Sequence, residues 1–289
     1  MVADFHTAFN LVMAILFLPL LRPFARLLTW LLPARAAPTD PSRPIYLSEA
    51  ARETPAIALA GAAREALRMA DVLEAMLRGA LDALDGGDRK RVTDTKALDD
   101  VLDRLNRAIK VYLTGLDPDV LDDDDNRRLA EILAFITNVE HAGDIVEKGL
   151  IAIAAKRLKR GLAFSTEGQA EIRVMLERLA GNVHAGAAVF MTDDARAARS
   201  LLGEKEVFRD LEARATETHF ARIRAGRVES VETSALHLDV LRDLKRINAH
   251  IAAAAYPVLE KIGELLPSRL RRDTDVEDVP PSAAEFRDR

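Results

Sequence analysis

The sequence predicts an all-α protein whose main part consists of two sets of three long helices. Helix-favouring residues, chiefly alanine, leucine, arginine and the acidic residues, dominate the 289 positions, whereas aromatic residues make up only 5%. Apolar residues recur every three or four positions over long stretches, which is the spacing of one helix face. No stretch alternates apolar and polar residues over the length of a strand, so no β-sheet is expected.

The composition excludes several classes of function. There is no cysteine, which excludes disulfides, thiol catalysis, iron–sulfur clusters and cysteine-based zinc sites. The 41 basic and 46 acidic side chains nearly balance, for a net charge of -5 at pH 7. Because nucleic-acid-binding domains concentrate basic charge, no nucleic-acid partner is expected.

The first segment, residues 1–33, is predicted to contain a transmembrane helix. Residues 7–21 carry no charge, and Arg22 and Arg26 interrupt an apolar stretch that then continues. This run is short for a span of roughly 20 residues, although tilt and snorkelling arginines can extend it. A buried or interfacial helix and a signal peptide are the alternatives, but a signal peptide needs Lys or Arg before the apolar run and none is present. The arginines that follow the run place the rest of the chain in the cytoplasm.

Proline, glycine and capping residues delimit the remaining segments. Three prolines mark residues 34–53 as a linker, and Thr54 with Pro55 is typical of a helix start. The predicted helices cover 54–84, 95–114, 122–161, 165 to about 190, 195–225 and 230–263, the last with a kink at Pro257. They predict a first antiparallel three-helix bundle at 54–162, a second at 163–263 and a disordered tail at 264–289.

A column of three carboxylates on the third helix is the candidate metal site. Glu140, Asp144 and Glu147 are spaced i, i+4 and i+7, where like charges repel. Such a group takes up protons, pairs with basic side chains or holds a cation, and oxygen ligands suit Mg, Mn, Ca or iron better than zinc. The alternative is an exposed face paired with neighbours such as Lys148 and His141.

A second polar column lies on the sixth helix. Asp239, Asp243, Arg246 and His250 follow one another at i, i+4, i+7 and i+11. Because the column contains its own cation, it predicts a structural ladder of ion pairs.

Nothing in the sequence predicts an enzyme. There is no Glu-x-x-His pair of the kind found in four-helix di-iron proteins. A glycine-rich phosphate loop, a nucleophile elbow and a dinucleotide fingerprint are also missing, and no credible nucleophile or general base stands out.

Two stretches resemble the bacterial sodium/phosphate cotransporter family. Its final membrane segment is similar to FHTAFNLVMAILFLP, and the closing half of its PhoU-like domain is similar to a region that contains ETSALHLDVLRDLKRINAH. The resemblance implies that residues 54–263 form a PhoU-like pair of three-helix bundles with a role in phosphate uptake or its regulation. It also implies the bacterial inner membrane as the location, with the bundles in the cytoplasm.

The resemblance also bears on the metal site. PhoU proteins hold metal through a Glu/Asp-x-x-x-Asp pattern on the third helix of each bundle, and Glu140 and Asp144 match it. A divalent or iron-type metal is therefore implied in the first bundle, where it would offset the carboxylate repulsion. In the second bundle Lys245 and Ala249 stand at the corresponding positions, which argues against a second metal.

The transport core of that family, two inverted membrane repeats, is missing from these 289 residues. We therefore expect either the C-terminal part of a cotransporter or a short membrane-anchored regulator that acts on a transporter core in cis or in trans. The alternative function is a ligand-free helical module, anchored to the membrane, that mediates assembly, including homo-oligomers.

Overall fold

A computed structural model describes residues 40–264 except Gly87, and near the N-terminus His6, Phe9, Asn10 and Met13. The chain divides into two compact units, Met1–Pro41 and Ser42–Arg289. The predicted membrane helix within 1–33 lies outside the described residues except for those four, which are helical. The predicted tail also lies outside them except for Glu264. In the described part of the chain, no helix has both the length and the apolarity needed to cross a membrane.

The second unit confirms the all-α prediction, since its described residues form helices and turns without a strand. In chain order the helices are α1 Pro55–Leu84, α2 Arg89–Thr114, α3 Asp123–Ile145, α4 Ala152–Arg160, α5 Thr166–Thr192, α6 Ala195–Arg224, α7 Val228–Glu232, α8 Ser234–Ala252 and α9 Tyr256–Lys261. A π-helical segment, Val146–Ile151, joins α3 to α4. Short 3-10 turns cover Glu49–Glu53, Pro118–Val120 and Ala253–Ala255.

The long helices pack as two groups of three around one continuous core. Helices α1, α2 and α3 contact one another, as do α5, α6 and α8, while α1 also packs on α5 and α3 on α8. Each buried large apolar side chain contributes about 1.5–3 kcal/mol, so the shared core stabilises both groups together. Its fully buried members include Met69, Leu73, Leu102, Ile136, Leu179, Phe208 and Leu244.

Local capping explains where three of the long helices begin and where α4 ends. Asp88, Asp122 and Ser165 each accept a hydrogen bond from a backbone N–H in the first turn of the following helix, at 2.9, 2.8 and 3.2 Å. These bonds satisfy donors that have no partner inside the helix. Gly161 ends α4 with φ of 65°, a left-handed conformation that glycine adopts without strain.

Three features differ from the predicted helices. Helix α2 begins at Arg89 instead of residue 95, because Asp88 caps it. The third predicted helix is interrupted by the π-helical segment, whose i→i+5 bonds leave no signature in the apolar periodicity. The sixth is broken at Thr233 and again at Ala253–Ala255, one residue before the turn that contains Pro257.

Residues 42–54, which we call the strap, lie against α1. The carboxylate of Glu65 is fully buried, and its Oε2 accepts hydrogen bonds from the backbone N–H groups of Ile45 and Tyr46, both at 2.9 Å. Gly61 permits this approach, because a Cβ there would lie 2.6 Å from the carbonyl oxygen of Tyr46. The strap is thus attached to α1 at its first third.

The strap also contacts α2. The hydroxyl of Tyr112 donates a hydrogen bond to the carbonyl oxygen of Ser48 at 2.9 Å. The guanidinium of Arg52 lies 4.8 Å from the centre of the Tyr112 ring. The second half of the proline-containing stretch is therefore fixed to two helices, although its composition is typical of a linker.

Candidate functional site

Three carboxylates from two helices and the π-helical segment form the candidate metal centre. Asp99 of α2, Asp144 of α3 and Glu147 of the π-helical segment each place one oxygen within 4.8 Å of the others. All three side chains are half-buried. Three converging hard oxygens form a donor set of the kind that Mg²⁺, Mn²⁺ or Ca²⁺ prefers.

The surroundings of this carboxylate cluster balance its charge only in part. Lys148 Nζ lies 2.5 Å from Asp144 Oδ1, and Lys96 Nζ lies 3.1 Å from Glu147 Oε1. The buried Oδ1 of Asp99 accepts no hydrogen bond. Burial first, and then the negative charges of Glu147, Asp103 and Asp144, raise the pKa of Asp99 to about 6. The residues present fit a cation, since Asp99 is the member without a basic partner.

The sequence predicted two of these three carboxylates. Asp144 and Glu147 belong to the cluster, whereas Glu140 lies beside His141, with 3.6 Å between Glu140 Oε2 and His141 Nε2. Asp99 was missed because it lies on a different helix, and helical spacing relates only residues of one helix. No local signal in the sequence separates Asp99 from the other aspartates of α2.

Replacing Asp99 tests this cluster. In EDTA we expect Asp99→Asn to raise the melting temperature by roughly 2 °C, because it removes one of three repelling carboxylates. Millimolar Mn²⁺ should raise the melting temperature of the wild type and should have little effect on the variant, since one ligand is lost. Asp100→Asn, an exposed position on the same helix outside the cluster, is the matched control and should respond to Mn²⁺ as the wild type does. An equal Mn²⁺ response in Asp99→Asn would contradict a metal at this cluster.

The predicted ladder on the sixth helix has the following geometry. Asp243 Oδ1 accepts a hydrogen bond from Arg246 Nη1 at 3.1 Å. Asp239 pairs with Arg242 at 2.9 Å, and His250 Nδ1 lies 3.1 Å from Asn138 Oδ1 of α3. The four predicted residues thus include one mutual pair, and the others bind to partners outside the column.

An open cleft of about 510 Å³ separates α3 and the π-helical segment from α8. We call it the α3–α8 cleft. Burial, together with the charges of His141 and Arg246, lowers the pKa of His250 on its wall. The lining residues are His141, Asp144, Ile145, Lys148, Gly149, Arg242, Asp243, Arg246 and His250.

A half-buried polar network connects α5, α6 and α8 at the opposite end of the second group. Both oxygens of Glu171 accept hydrogen bonds from Arg222 at 2.8 Å, and Thr218 donates to the same carboxylate at 2.7 Å. His237 Nε2 lies 3.3 Å from Glu171 Oε2, and its ring stacks on His219 with centroids 4.7 Å apart. Burial alone would raise the pKa of Glu171, but the nearby His237 and the hydrogen bonds from Arg222 and Thr218 outweigh burial and lower the pKa to about 2. Glu171 is therefore ionised at neutral pH, and the network joins the three helices.

The first group of helices matches a known domain family. The model of the PhoU domain matches residues 66–150, which run from α1 to the π-helical segment and include all three residues of the carboxylate cluster. Residues 66–150 are therefore similar to the PhoU domain.

Among full-length relatives, the chain is similar to YjbB of Escherichia coli strain K12, a proposed inorganic phosphate export protein. The two are 37% identical over 264 residues, which cover 91% of this chain and 48% of YjbB. YjbB of Salmonella typhimurium strain LT2 is 36% identical over 261 residues, covering 90% of this chain and 48% of the relative. The chain thus spans about half the length of these relatives. The more specific sodium/phosphate cotransporter resemblance stays a prediction.

Solved structures support the PhoU-like fold. The crystal structure of PhoU from Pseudomonas aeruginosa superposes with a TM-score of 0.65 at 20% identity, covering 72% of this chain and 98% of that one. The phosphate transport system regulatory protein PhoU from Streptococcus pneumoniae gives a TM-score of 0.65 at 17% identity, covering 74% and 99%. At these identities the likeness shows the fold alone.

Proposed function

We propose that the helical unit is the cytoplasmic, non-enzymatic regulatory region of a membrane protein that transports inorganic phosphate. The observation that carries the proposal is the alignment of 91% of this chain with half of YjbB, within which lies the match to the PhoU domain. The name of that relative favours export, whereas the cotransporter resemblance of the sequence favours sodium-dependent uptake. The regulatory role is common to both directions.

In this proposal the N-terminal segment is a membrane helix and the strap connects it to the helical unit. Residues 7–21 carry no charge, as a membrane-spanning helix requires. The strap begins at residue 42 and is fixed by Glu65 to α1, which packs on both α3 and α5. A change in the packing of α1 and α2 would therefore move the strap and reach the membrane segment through the backbone.

The carboxylate cluster would hold a divalent cation in this proposal. Asp99, Asp144 and Glu147 would be its protein ligands, and the cation would supply positive charge to offset their repulsion. Because these residues come from α2, α3 and the π-helical segment, a bound cation would fix the packing of the first group.

The test removes the helical unit in the organism that encodes it. Residues 54–264 are deleted in the native gene, and both uptake and efflux of radiolabelled phosphate are measured in phosphate-rich and phosphate-poor medium. We expect the dependence of one of these fluxes on external phosphate to be lost, and the flux that changes identifies the direction of transport. If uptake, efflux and the starvation response all stay unchanged, the regulatory proposal is wrong and a helical assembly module is favoured.

A further inference from the structure

Two arginines on one wall of the α3–α8 cleft are held in place by a buried carboxylate. Asp243 is only 4% exposed, and its Oδ1 lies 3.1 Å from Arg246 and 3.5 Å from Arg242. Both guanidinium-bearing side chains are 55% exposed and line the cleft. Asp243 therefore positions two cationic groups at a surface where a ligand can reach them.

The opposite wall is built around the same carboxylate. Gly149 of the π-helical segment faces Asp243, since a Cβ there would lie 2.5 Å from Asp243 Oδ2. Any side chain at position 149 would push Asp243 away, so the glycine allows the two walls to meet at the base of the cleft. One residue earlier, Lys148 also lines the cleft, so cationic groups face it from both sides.

The lining of the cleft carries more cationic side chains than carboxylates. Its lining contains the three cations Lys148, Arg242 and Arg246 against the two carboxylates of Asp144 and Asp243, and Lys148 pairs with Asp144 at 2.5 Å. The nearby acids Asp239, Glu140, Asp99 and Glu147 lie outside the lining, and Asp239 pairs with Arg242 at 2.9 Å. Ion pairs as exposed as Arg242 with Asp239 contribute little, so a stronger ligand can displace them.

We propose that the α3–α8 cleft binds a phosphate-class oxyanion, either orthophosphate or a short oligophosphate, through Arg242 and Arg246. Guanidinium groups form paired hydrogen bonds with phosphate oxygens, which is stronger and more specific than a single charged contact. The volume of about 510 Å³ lies within the range of small-molecule sites and accommodates more than one phosphoryl group. This inference rests on the proposed function, in which it gives the regulatory unit a way to sense phosphate.

The experiment is isothermal titration calorimetry on the full chain in detergent, with orthophosphate and pyrophosphate as separate probes at low salt. We expect Arg242→Gln and Arg246→Gln each to weaken binding by about tenfold or more, because each removes a charged hydrogen-bond donor. Arg209→Gln on α6, an exposed arginine that pairs with Glu206, is the matched control and should bind as the wild type does. Urea unfolding of each variant verifies that the fold is intact.

Tighter binding of pyrophosphate would identify an oligophosphate ligand, and tighter binding of orthophosphate would identify the free ion; both outcomes support the proposal. The proposal is overturned if the wild type binds neither probe at 10 mM, or if the cleft variants bind as tightly as Arg209→Gln. The deletion experiment gives an independent result: lost regulation without anion binding rejects only the cleft proposal, and anion binding without lost regulation rejects only the regulatory role.

Discussion

Replacing Glu65 by alanine should detach the strap and lower the free energy of unfolding by about 3 kcal/mol. The carboxylate is fully buried and accepts two backbone hydrogen bonds from the strap, and bonds to a charged group contribute about 1.5–3 kcal/mol each. We expect a loss of free energy near the lower end of this range, because the freed N–H groups of Ile45 and Tyr46 can bind water once the strap detaches. Urea unfolding measures the free energy, and hydrogen exchange at those two amides reports the detachment directly.

Glu65→Gln is the matched control for this prediction. Both strap amides donate to the same oxygen, so a glutamine carbonyl oxygen can still accept them, while the ion pair of Glu65 with Arg68 is lost. We expect about 1 kcal/mol of destabilisation and continued protection of the two amides. Equal exchange at Ile45 and Tyr46 in wild type and Glu65→Ala would show that Glu65 does not hold the strap. In cells, the alanine variant should partly reproduce the deletion of the helical unit, because the strap then keeps its contacts with Tyr112 of α2.

The sequence predicted the features of the fold that depend on neighbouring residues. The cap at Ser165 and the glycine end at Gly161 involve contacts within one turn, so the helix boundaries there agree with the structure. The start of α2 was predicted six residues late, because the apolar stripe was followed instead of the cap at Asp88. The attachment of the strap depends on Glu65, which lies 20 residues from Ile45, and such a contact has no local signature.

The candidate site was predictable to the extent that it lies on one helix. Asp144 and Glu147 were found from their spacing, while Asp99 reaches the cluster only through the packing of α2 on α3. The spacing also indicated Glu140, but helical periodicity gives the face of a residue and says nothing about which neighbouring helix completes the site. The α3–α8 cleft was missed for the same reason, since its two walls are about 100 residues apart in the chain.

Replacing Arg222 by methionine should destabilise the protein by roughly 3 kcal/mol at pH 7. The Arg222 and Glu171 side chains are half-buried, only 11% and 22% exposed, and removing one partner of such an ion pair leaves a poorly solvated charge without its counterion. Methionine retains much of the apolar length of arginine, so the loss reports mainly the charge and the two hydrogen bonds. Urea unfolding at pH 7 gives the measurement. Arg199→Met is the exposed control. Arg199 also forms two hydrogen bonds with a carboxylate, that of Glu264, but the two side chains are 53% and 41% exposed, so this variant should leave the urea unfolding midpoint unchanged.

The pH dependence of stability separates the charge of Arg222 from its packing. The pKa of Glu171 is about 2 in the folded protein against 4.5 as its ordinary value, so the unfolded chain takes up a proton first as pH falls. The wild type should therefore have the full contribution of Glu171 above pH 4.5 and lose it progressively as pH falls towards 2. In Arg222→Met the pKa of Glu171 rises, so the variant should lose less stability between pH 4.5 and pH 3, and the gap between the two proteins should narrow. A gap that stays constant over this range would mean that Arg222 acts through packing alone, because only the loss of its charge makes the difference depend on the protonation of Glu171.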